Sequence, residues 1–583
     1  MKILLTAVNA KYIHSNPAVY SLQKFTAEHA PEYKTDIELA EFTINHYPDD
    51  ILQEIYRRKP DVAAFSCYIW NLQMIEKVIE DLPKVLPDIQ IWVGGPEVSY
   101  DAPDFLRQHP QVAGVMTGEG EETFLELTAF YHGKGQLEDI QGITFRNKQD
   151  EIIVNPGRAL LDMNRIPFLY DELEDFEHRI IYYESSRGCP FSCSYCLSSI
   201  DKSVRFRDAQ TVVRELQFFL DRKVPQVKFV DRTFNCRHSH ALTIWTYIKE
   251  HDNGITNFHF EIAADLLNEE ELTLLGTMRP GLVQLEIGVQ STNLYTIQEI
   301  DRIMDFTHLS NVVKRIQSGH NIHQHLDLIA GLPGEDFHSF QKSFNDVYHL
   351  YPDQFQLGFL KVLKGSKMQE KANEYGIIYH SQPVYEVFST NWISYEEILK
   401  LKEIEEMVEV YYNSGQFSNT MRYLEREFAD PFSMYQSLAA YYGKRKWWNQ
   451  SHSRMQRFEM LREFIQTVSS SHIYDELLLM DLYLRENSKS RPKWAVDLQN
   501  EKKQFLDWFK EEAQEHKVLA GYEGYSAKQM MNMVHLEKFD RDMAQNFDWI
   551  QSGEESKEEY WILFDYCNRN ALDQNAGMYQ IEV

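Results

Sequence analysis

Three cysteines at C-x3-C-x2-C spacing, Cys189, Cys193 and Cys196, fall within eight residues and make up half of the chain's six. They sit in the stretch Glu184 to Cys196, a loop that follows the apolar run Ile180 to Tyr183. Thiolates are soft ligands that suit iron–sulfur clusters and zinc. A structural zinc site wants four protein ligands, usually in paired knuckles, and no second Cys or His pair lies close by. Three thiolates instead leave one iron of a [4Fe–4S] cube open to a substrate or cofactor. The alternative is three buried structural cysteines.

At 583 residues the chain has room for about three to four domains. A hydrophobic fraction of 43% and an aromatic fraction of 13% supply core material. The start, Met1 to Ala7, is a strand-length run, too short for a signal-peptide core. No uncharged apolar stretch reaches membrane-spanning length. Few cysteines, three of them reserved for metal, point to a reducing cytoplasm. The net charge of −29 disfavours nonspecific nucleic-acid binding, though a local basic groove can hide in an acidic whole.

In residues 1–150 short apolar runs alternate with helical patterns. Lys2–Ala7, Asp36–Phe42, Val62–Tyr68, Ile89–Val93 and Val112–Met116 read as strands. Pro17–His29, Asp49–Arg57, Asn71–Leu86 and Glu121–Tyr131 read as helices. The alternation predicts a doubly wound parallel α/β sheet. Ligands of such sheets lie beyond the carboxyl ends of the strands. The loops there are Asn9 to Pro17, Ser66 to Asn71, Gly94-Gly95-Pro96-Glu97 and Thr117-Gly118-Glu119-Gly120-Glu121. A proline-bearing linker, 151–175, follows. Strand-like runs then recur with helices between them, at Ile180–Ser185, Gln226–Asp231, Phe258–Ala264, Leu282–Val289, His323–Ile329 and Gln354–Lys361.

The cysteine loop, from its Gly188-Cys189-Pro190-Phe191 start to its Tyr195-Cys196 end, resembles the cluster loop of the radical S-adenosylmethionine (SAM) enzymes. In that family the open iron binds SAM, and one electron cleaves it to a 5′-deoxyadenosyl radical. The resemblance implies a (β/α)6 partial barrel over 176–380. It makes Glu286 and Gln290 candidates for the SAM site, with Glu261 as a further one and Tyr195 near the adenine. Each carboxylate could equally be bonded to barrel backbone, as buried polar groups must be. Cys236, just past the second barrel strand, is a candidate radical relay, methyl acceptor or plain thiol. Cys67 has the same ambiguity in the first segment, and Cys567 reads as structural.

Placed before such a loop, residues 1–150 look like the Rossmann-like cobalamin-binding domain of the cobalamin-dependent radical SAM family. The Val93-Gly94-Gly95-Pro96 and Gly118-Glu119-Gly120-Glu121 turns carry the likeness. The resemblance implies cobalamin contacts from Asn9, Tyr68, Trp70, Gly94, Gly95, Gly118, Glu119 and Gly120. The Asp-x-His-x-x-Gly motif that gives cobalt a histidine is absent, so cobalamin is expected base-off, with His14 a remote candidate ligand.

Residues 385–583 change to helical patterns. The capping-box signature Ser394-Tyr395-Glu396-Glu397 precedes Ile398, Leu401, Ile404, Met407, Val408 and Tyr411 at helical spacing, with Gly415 as terminator. Helices are expected at Arg422–Phe428, Pro431–Tyr442, Ser453–Ser470, His472–Asn487, Asn500–Phe509, Ala527–Leu536 and Asp540–Asn546. Short strands are expected at Tyr560–Asp565 and Met578–Val583. The run Lys444 to Trp448 mixes base and aromatic, as single-strand nucleic-acid surfaces do. The segment fits an uncharacterised C-terminal domain found behind some cobalamin-type radical SAM proteins.

The family reading implies a [4Fe–4S] cluster, SAM and cobalamin as cofactors, a small-molecule or peptide substrate, and an electron donor such as flavodoxin or ferredoxin. It points to methyl transfer to an unactivated centre. Alternatives are radical chemistry that uses cobalamin otherwise or not at all, and a cluster-bearing sensor without catalysis.

Overall fold

The computed structural model describes residues 1–488, 491–541, 543 and 559–582. It divides into two compact units. The first comprises Met1–His320, Ile329–Phe337 and Gly358–Tyr395, and the second Asn321–Leu328, His338–Leu357 and Glu396–Val583.

The N-terminal sheet uses strands β1 (Ile3–Asn9), β2 (Ile37–Thr43), β3 (Val62–Ser66), β4 (Gln90–Gly94), β5 (Val112–Met116), β6 (Ile143–Arg146) and β7 (Ile152–Val154). Their order is β2-β1-β3-β4-β5-β6-β7. The first five pair in parallel. This is the doubly wound order whose chain direction reverses between β1 and β3, the place where such sheets bind ligands. Strands β1 and β3 are buried along their whole length, as parallel strands covered on both faces must be. The helices Pro17–His29 and Glu121–Tyr131 fall where the pattern puts them. Strands β6 and β7 are an antiparallel extension that the apolar pattern did not reveal. The sheet therefore runs to Val154, into the segment expected to be linker.

The barrel strands follow the cysteine loop in chain order. They are β8 (Ile181–Tyr183), then, after the short β9 (Ser186–Arg187) and β10 (Arg205–Phe206), β11 (Gln226–Phe229), β12 (Asn257–Ile262), β13 (Val283–Gln290), β14 (His323–Ala330) and β15 (Gln354–Phe359). The six-stranded sheet has the sequential order β15-β14-β13-β12-β11-β8. All six expected strands are present.

In the second unit the helix Tyr395–Val408 buries Ile398, Leu401, Ile404, Met407 and Val408. It continues through a π-turn, Glu409–Asn413, and ends at Gly415 with φ +62°. Asp481 is wholly engaged in starting the helix Ser418–Leu424: it accepts from Asn419 N–H, Asn419 Nδ2, Thr420 N–H and Thr420 Oγ1. The expected helix Ala527–Leu536 is corrected: it stops at Met533, and Val534–Phe539 is a strand paired with Tyr560–Arg569, itself paired with Ala576–Ile581. Phe505, Phe509, Met530 and Leu563 form the core beneath this sheet. Most of the helix expected at Asp540–Asn546 lies outside the described residues. Cys567 is exposed, which overturns its structural reading. Trp447 packs on Tyr441 and Tyr442, and Arg445 pairs with Glu463 at 2.8 Å, so the basic-aromatic run is turned onto its own helices.

Candidate active site

The cysteine loop is pinched at its neck. Strands β9 and β10 pair antiparallel, Arg187 opposite Arg205 and Ser186 opposite Phe206, so residues 188–204 form a closed loop. Gly188 opens it at φ +94°, where a Cβ would press on the Ser203 carbonyl at 2.7 Å. Cys189 and Cys193 are buried and Cys196 half-buried.

Below the loop, Asp231 is fully buried and organises the neck. It accepts from Ser185 N–H at 3.0 Å, Ser185 Oγ at 2.6 Å and Ser186 Oγ at 2.5 Å. Burial raises its carboxyl to about 6, against the pull of these donors. His240 Nε2 lies 2.9 Å from Ser185 Oγ, and burial lowers that imidazole to about 4. Cys189 Sγ is 3.5 Å from Thr233 Oγ1. Arg302 donates to Cys193 Sγ at 3.8 Å, to Tyr195 OH at 3.3 Å and to Gly288 O at 2.5 Å. A guanidinium against a sulfur favours the thiolate, and it opposes the burial that otherwise raises Cys193.

Arg187, two residues before the first cysteine, joins this loop to the N-terminal sheet. It donates through Nε to Glu184 at 2.9 Å and through a terminal nitrogen to Glu121 at 2.6 Å, and it pairs with Glu119 at 3.4 Å. Glu119 is also gripped by Arg205 at 2.8 and 3.0 Å and by Leu161 N–H at 2.7 Å. Burial would raise both Glu119 and Glu121, but the arginines and the other donors outweigh it and hold both below the usual carboxylate range. Thus the loop after β5 and the cysteine loop meet face to face.

Between them lies a cavity of about 850 Å³. Its wall includes Tyr68, Gly94, Gly95, Gly118, Glu119 and Gly120 from the N-terminal sheet, and Glu184, Arg187 and Arg232 from the barrel side. Gly118, at φ +77°, has nothing within 4 Å of where a Cβ would stand. Gly95, at φ +114°, is fixed differently: a Cβ there would collide with the Cys67 carbonyl.

Two of the expected cobalamin contacts lie off this wall. Asn9 donates to His14 O at 3.0 Å and to Glu41 at 2.9 Å, in a network where Glu41 also accepts from Asn16 N–H, Tyr20 and Arg179. Trp70 stacks on Tyr68 with centroids 4.5 Å apart, so it backs the wall residue. His14 is also off the wall, with Nδ1 at 2.6 Å from Tyr182 OH. Cys67 is wholly buried in the sheet core.

The four expected SAM residues are likewise absent from the cavity wall: Tyr195 lies in the cysteine loop, and Glu261, Glu286 and Gln290 lie on the barrel strands β12 and β13. Glu261 and Glu286 are neighbours across β12 and β13. Glu286 pairs with Lys228 at 3.1 Å and His259 at 3.0 Å. Burial, with Glu286 alongside, raises Glu261, and Arg232 opposes the rise. Gln290 ends β13 in a left-handed conformation, φ +71°, a strained backbone of the kind kept at functional sites. Burial pushes the Cys236 thiol up to about 11, and nearby Cys189 and Asp231 add to it. A thiol so raised is a poor nucleophile at neutral pH.

Arg302, Arg187, Arg205 and the Tyr385–Glu97 contact were not found from the sequence. Tyr385 OH donates to the buried Glu97 at 2.9 Å, and Lys364 pairs with Asp101 at 2.8 Å. These tie the segment after the barrel to the β4 loop. No local pattern marks such long-range partners.

A B12 binding domain family model matches residues 4–128, and a radical SAM superfamily model matches residues 183–347. The chain thus carries a radical SAM domain behind an N-terminal B12-binding domain. A third family model, a protein of unknown function (DUF4080), matches residues 373–564. The chain is 24% identical over 350 residues to the cobalamin-dependent radical SAM methyltransferase TokK of Streptomyces tokunonensis, covering 55% of this chain and 50% of TokK. It is 22% identical over 335 residues to the anaerobic magnesium-protoporphyrin IX monomethyl ester cyclase of Rubrivivax gelatinosus, covering 55% of this chain and 60% of the cyclase. The chain spans about half the length of the curated relatives it matches. Its fold is similar to that of OxsB, a cobalamin-dependent SAM radical enzyme solved with aqua-cobalamin and SAM bound. The TM-score is 0.57 at 14% identity, over 82% of this chain and 78% of that one. A radical SAM domain implies a [4Fe–4S] cluster and SAM, and the B12 domain implies cobalamin. No helix among the described residues is long and apolar enough to cross a membrane.

Proposed function

We propose that this chain is a cobalamin-dependent radical SAM methyltransferase acting on an unactivated centre of a small molecule or peptide. One observation carries the reading: the cysteine loop and the glycine-rich strand ends of the B12 domain border a single cavity and are joined by Arg187.

The donor sets suit the cofactors. Cys189, Cys193 and Cys196 would hold the cluster. The cavity lies at the upper end of the range for small-molecule sites, about 300–1,000 Å³. Gly118 offers open backbone where a flat macrocycle can rest, and the described residues of the wall include no histidine. Tyr195, Glu261, Glu286 and Gln290 would hold SAM by its polar groups and adenine. When bound, these cofactors supply reductive SAM cleavage to a deoxyadenosyl radical and a transferable methyl group.

The chain's own residues do the rest. Arg302 steadies the Cys193 thiolate and fixes Tyr195 beside it. Asp231 and His240 anchor the loop neck, and Arg187 with Glu119, Glu121 and Arg205 holds the two cofactor platforms at a fixed spacing. An electron donor such as flavodoxin or ferredoxin is needed, and six free thiols suit a reducing cytoplasm.

The test is anaerobic reconstitution followed by SAM and a strong reductant. Release of 5′-deoxyadenosine is expected from the wild type and not from Cys193→Ala. A reducible cluster that never cleaves SAM would favour the sensor reading. Once a substrate is found, deoxyadenosine without a methylated product would move the assignment toward the chemistry named for the cyclase relative.

A further inference from the structure

The second unit contains a cavity of its own, about 780 Å³, within the size range of small-molecule sites. Met480 and Leu484, on successive turns of the helix Ile473–Arg485, give it buried apolar lining. Three arginines, Arg422, Arg485 and Arg569, also face it, together with Asp353, Glu425 and Asp573.

These charges are not matched to one another. Glu425 accepts from Tyr348 OH at 2.8 Å and Tyr351 OH at 3.5 Å. Asp353 accepts from Gln324 N–H at 2.7 Å, and Asp573 takes Asn575 N–H and Nδ2 at 2.9 Å each. Asp481, one turn before Arg485, is spent on the helix Ser418–Leu424, as described above. Among the described residues none of the three arginines forms an ion pair. Arg422 lies over the Tyr351 ring at 4.8 Å. Arg485 donates through one terminal nitrogen only, to Asp573 O and to Asn575 Oδ1 at 3.4 Å. Arg569 likewise uses one, to Arg485 O at 3.2 Å and Gln574 O at 2.6 Å. A guanidinium carries five N–H donors and matches a carboxylate or phosphate in a fork. Both therefore keep donors to spare, beside an apolar wall. Burial holds Arg485 below the ordinary arginine range, Asp573 opposes this, and Arg454 and Arg569 add to it.

We propose that this cavity binds a small molecule carrying a carboxylate or phosphate group on an apolar body, the anionic end received by Arg485 and Arg569. The site belongs to the second unit alone and does not depend on the radical chemistry. Isothermal titration of the full-length protein, loaded with cobalamin so that the first cavity is filled, tests it with phenyl phosphate, benzoate and inorganic phosphate as probes. One-site saturable binding is expected for phenyl phosphate or benzoate, tighter than for inorganic phosphate. Which of the two binds more tightly identifies the anionic group. Arg485→Gln and the exposed Arg569→Gln should each weaken it at least tenfold, and Lys510→Gln should not change it. Circular dichroism checks each fold, and Arg569→Gln, at the rim, keeps the test valid where Arg485→Gln does not fold. The proposal is overturned if no probe saturates on folded protein, or if folded Arg569→Gln binds as the wild type does.

Discussion

Replacing Arg187 with methionine keeps the length of the side chain and removes its charge. Glu121, 4% exposed, then loses its ion pair and keeps the hydrogen bond from Ser21 at 2.9 Å and one from backbone. Breaking a buried ion pair from one side costs about 3–5 kcal/mol, because the remaining charge stays buried without compensation. Glu119 retains Arg205, so the lower end, about 3 kcal/mol, is the expected local loss. That is on the order of a hundredfold in the opening equilibrium of the loop neck. Hydrogen exchange by mass spectrometry on peptides spanning 184–205 and 117–124 reads this directly, and both should exchange about a hundredfold faster at pH 7.5. The pH dependence has a definite sign. In the wild type Glu121 is held below its unfolded value, so its contribution is present above the ordinary carboxylate pKa and is lost as pH falls through the folded one. In the variant burial acts unopposed by Arg187, Glu121 takes up a proton more readily, and the deficit should shrink toward pH 5. Adding Glu121→Gln to the variant should recover part of the protection. Exchange within threefold of wild type at pH 7.5 would show that the arginine does not hold the two platforms together.

The cysteines and the cavity give further expectations. Cys189→Ala, Cys193→Ala and Cys196→Ala should each lose the cluster by iron and absorbance assay, and Cys236→Ala should keep it. Gly118→Leu should lower cobalamin uptake at least tenfold with the cluster intact, since the new side chain enters open cavity. Gly95→Ala should instead lower the melting temperature without any cofactor, because its Cβ strikes the Cys67 carbonyl. His14→Ala should leave the bound-cobalamin spectrum unchanged, as its ring is engaged with Tyr182.

The doubly wound sheet and the barrel were legible because their strands are short apolar runs bounded by glycine and proline, and their helices carry a regular apolar face. The helix Pro17–His29 is announced by its proline start. The cysteine loop is a local signal, so its position was plain. The strand Val534–Phe539 was hidden for a physical reason. Its Glu537 is buried and paired with Arg491 at 2.5 and 2.7 Å, so the apolar alternation that would mark a strand is broken by a charge. Strands β6 and β7 are edge additions of four and three residues, too short for an alternation of apolar and polar positions to show. The ion network of Arg187 joins residues 66 and 68 positions apart, and sequence periodicity reports only neighbours a turn or two away. For the same reason the glycine turns, which are backbone features, line the cavity as their position after the strands implies, whereas Asn9 and Trp70 lie off it, their side chains turned to other partners.

The contact between Tyr385 and Glu97 spans 288 residues of chain. During synthesis the N-terminal sheet is complete long before its partner leaves the ribosome. At about 5–20 residues per second the interval is roughly 15 to 60 s. For that time Glu97 and the adjoining β4 loop have no tyrosine against them, and the sheet must stand on its own core. The last stitch of the first unit is thus made by one of its latest segments, so the order of translation leaves the rim of the cofactor crevice uncovered until the barrel behind it has been made.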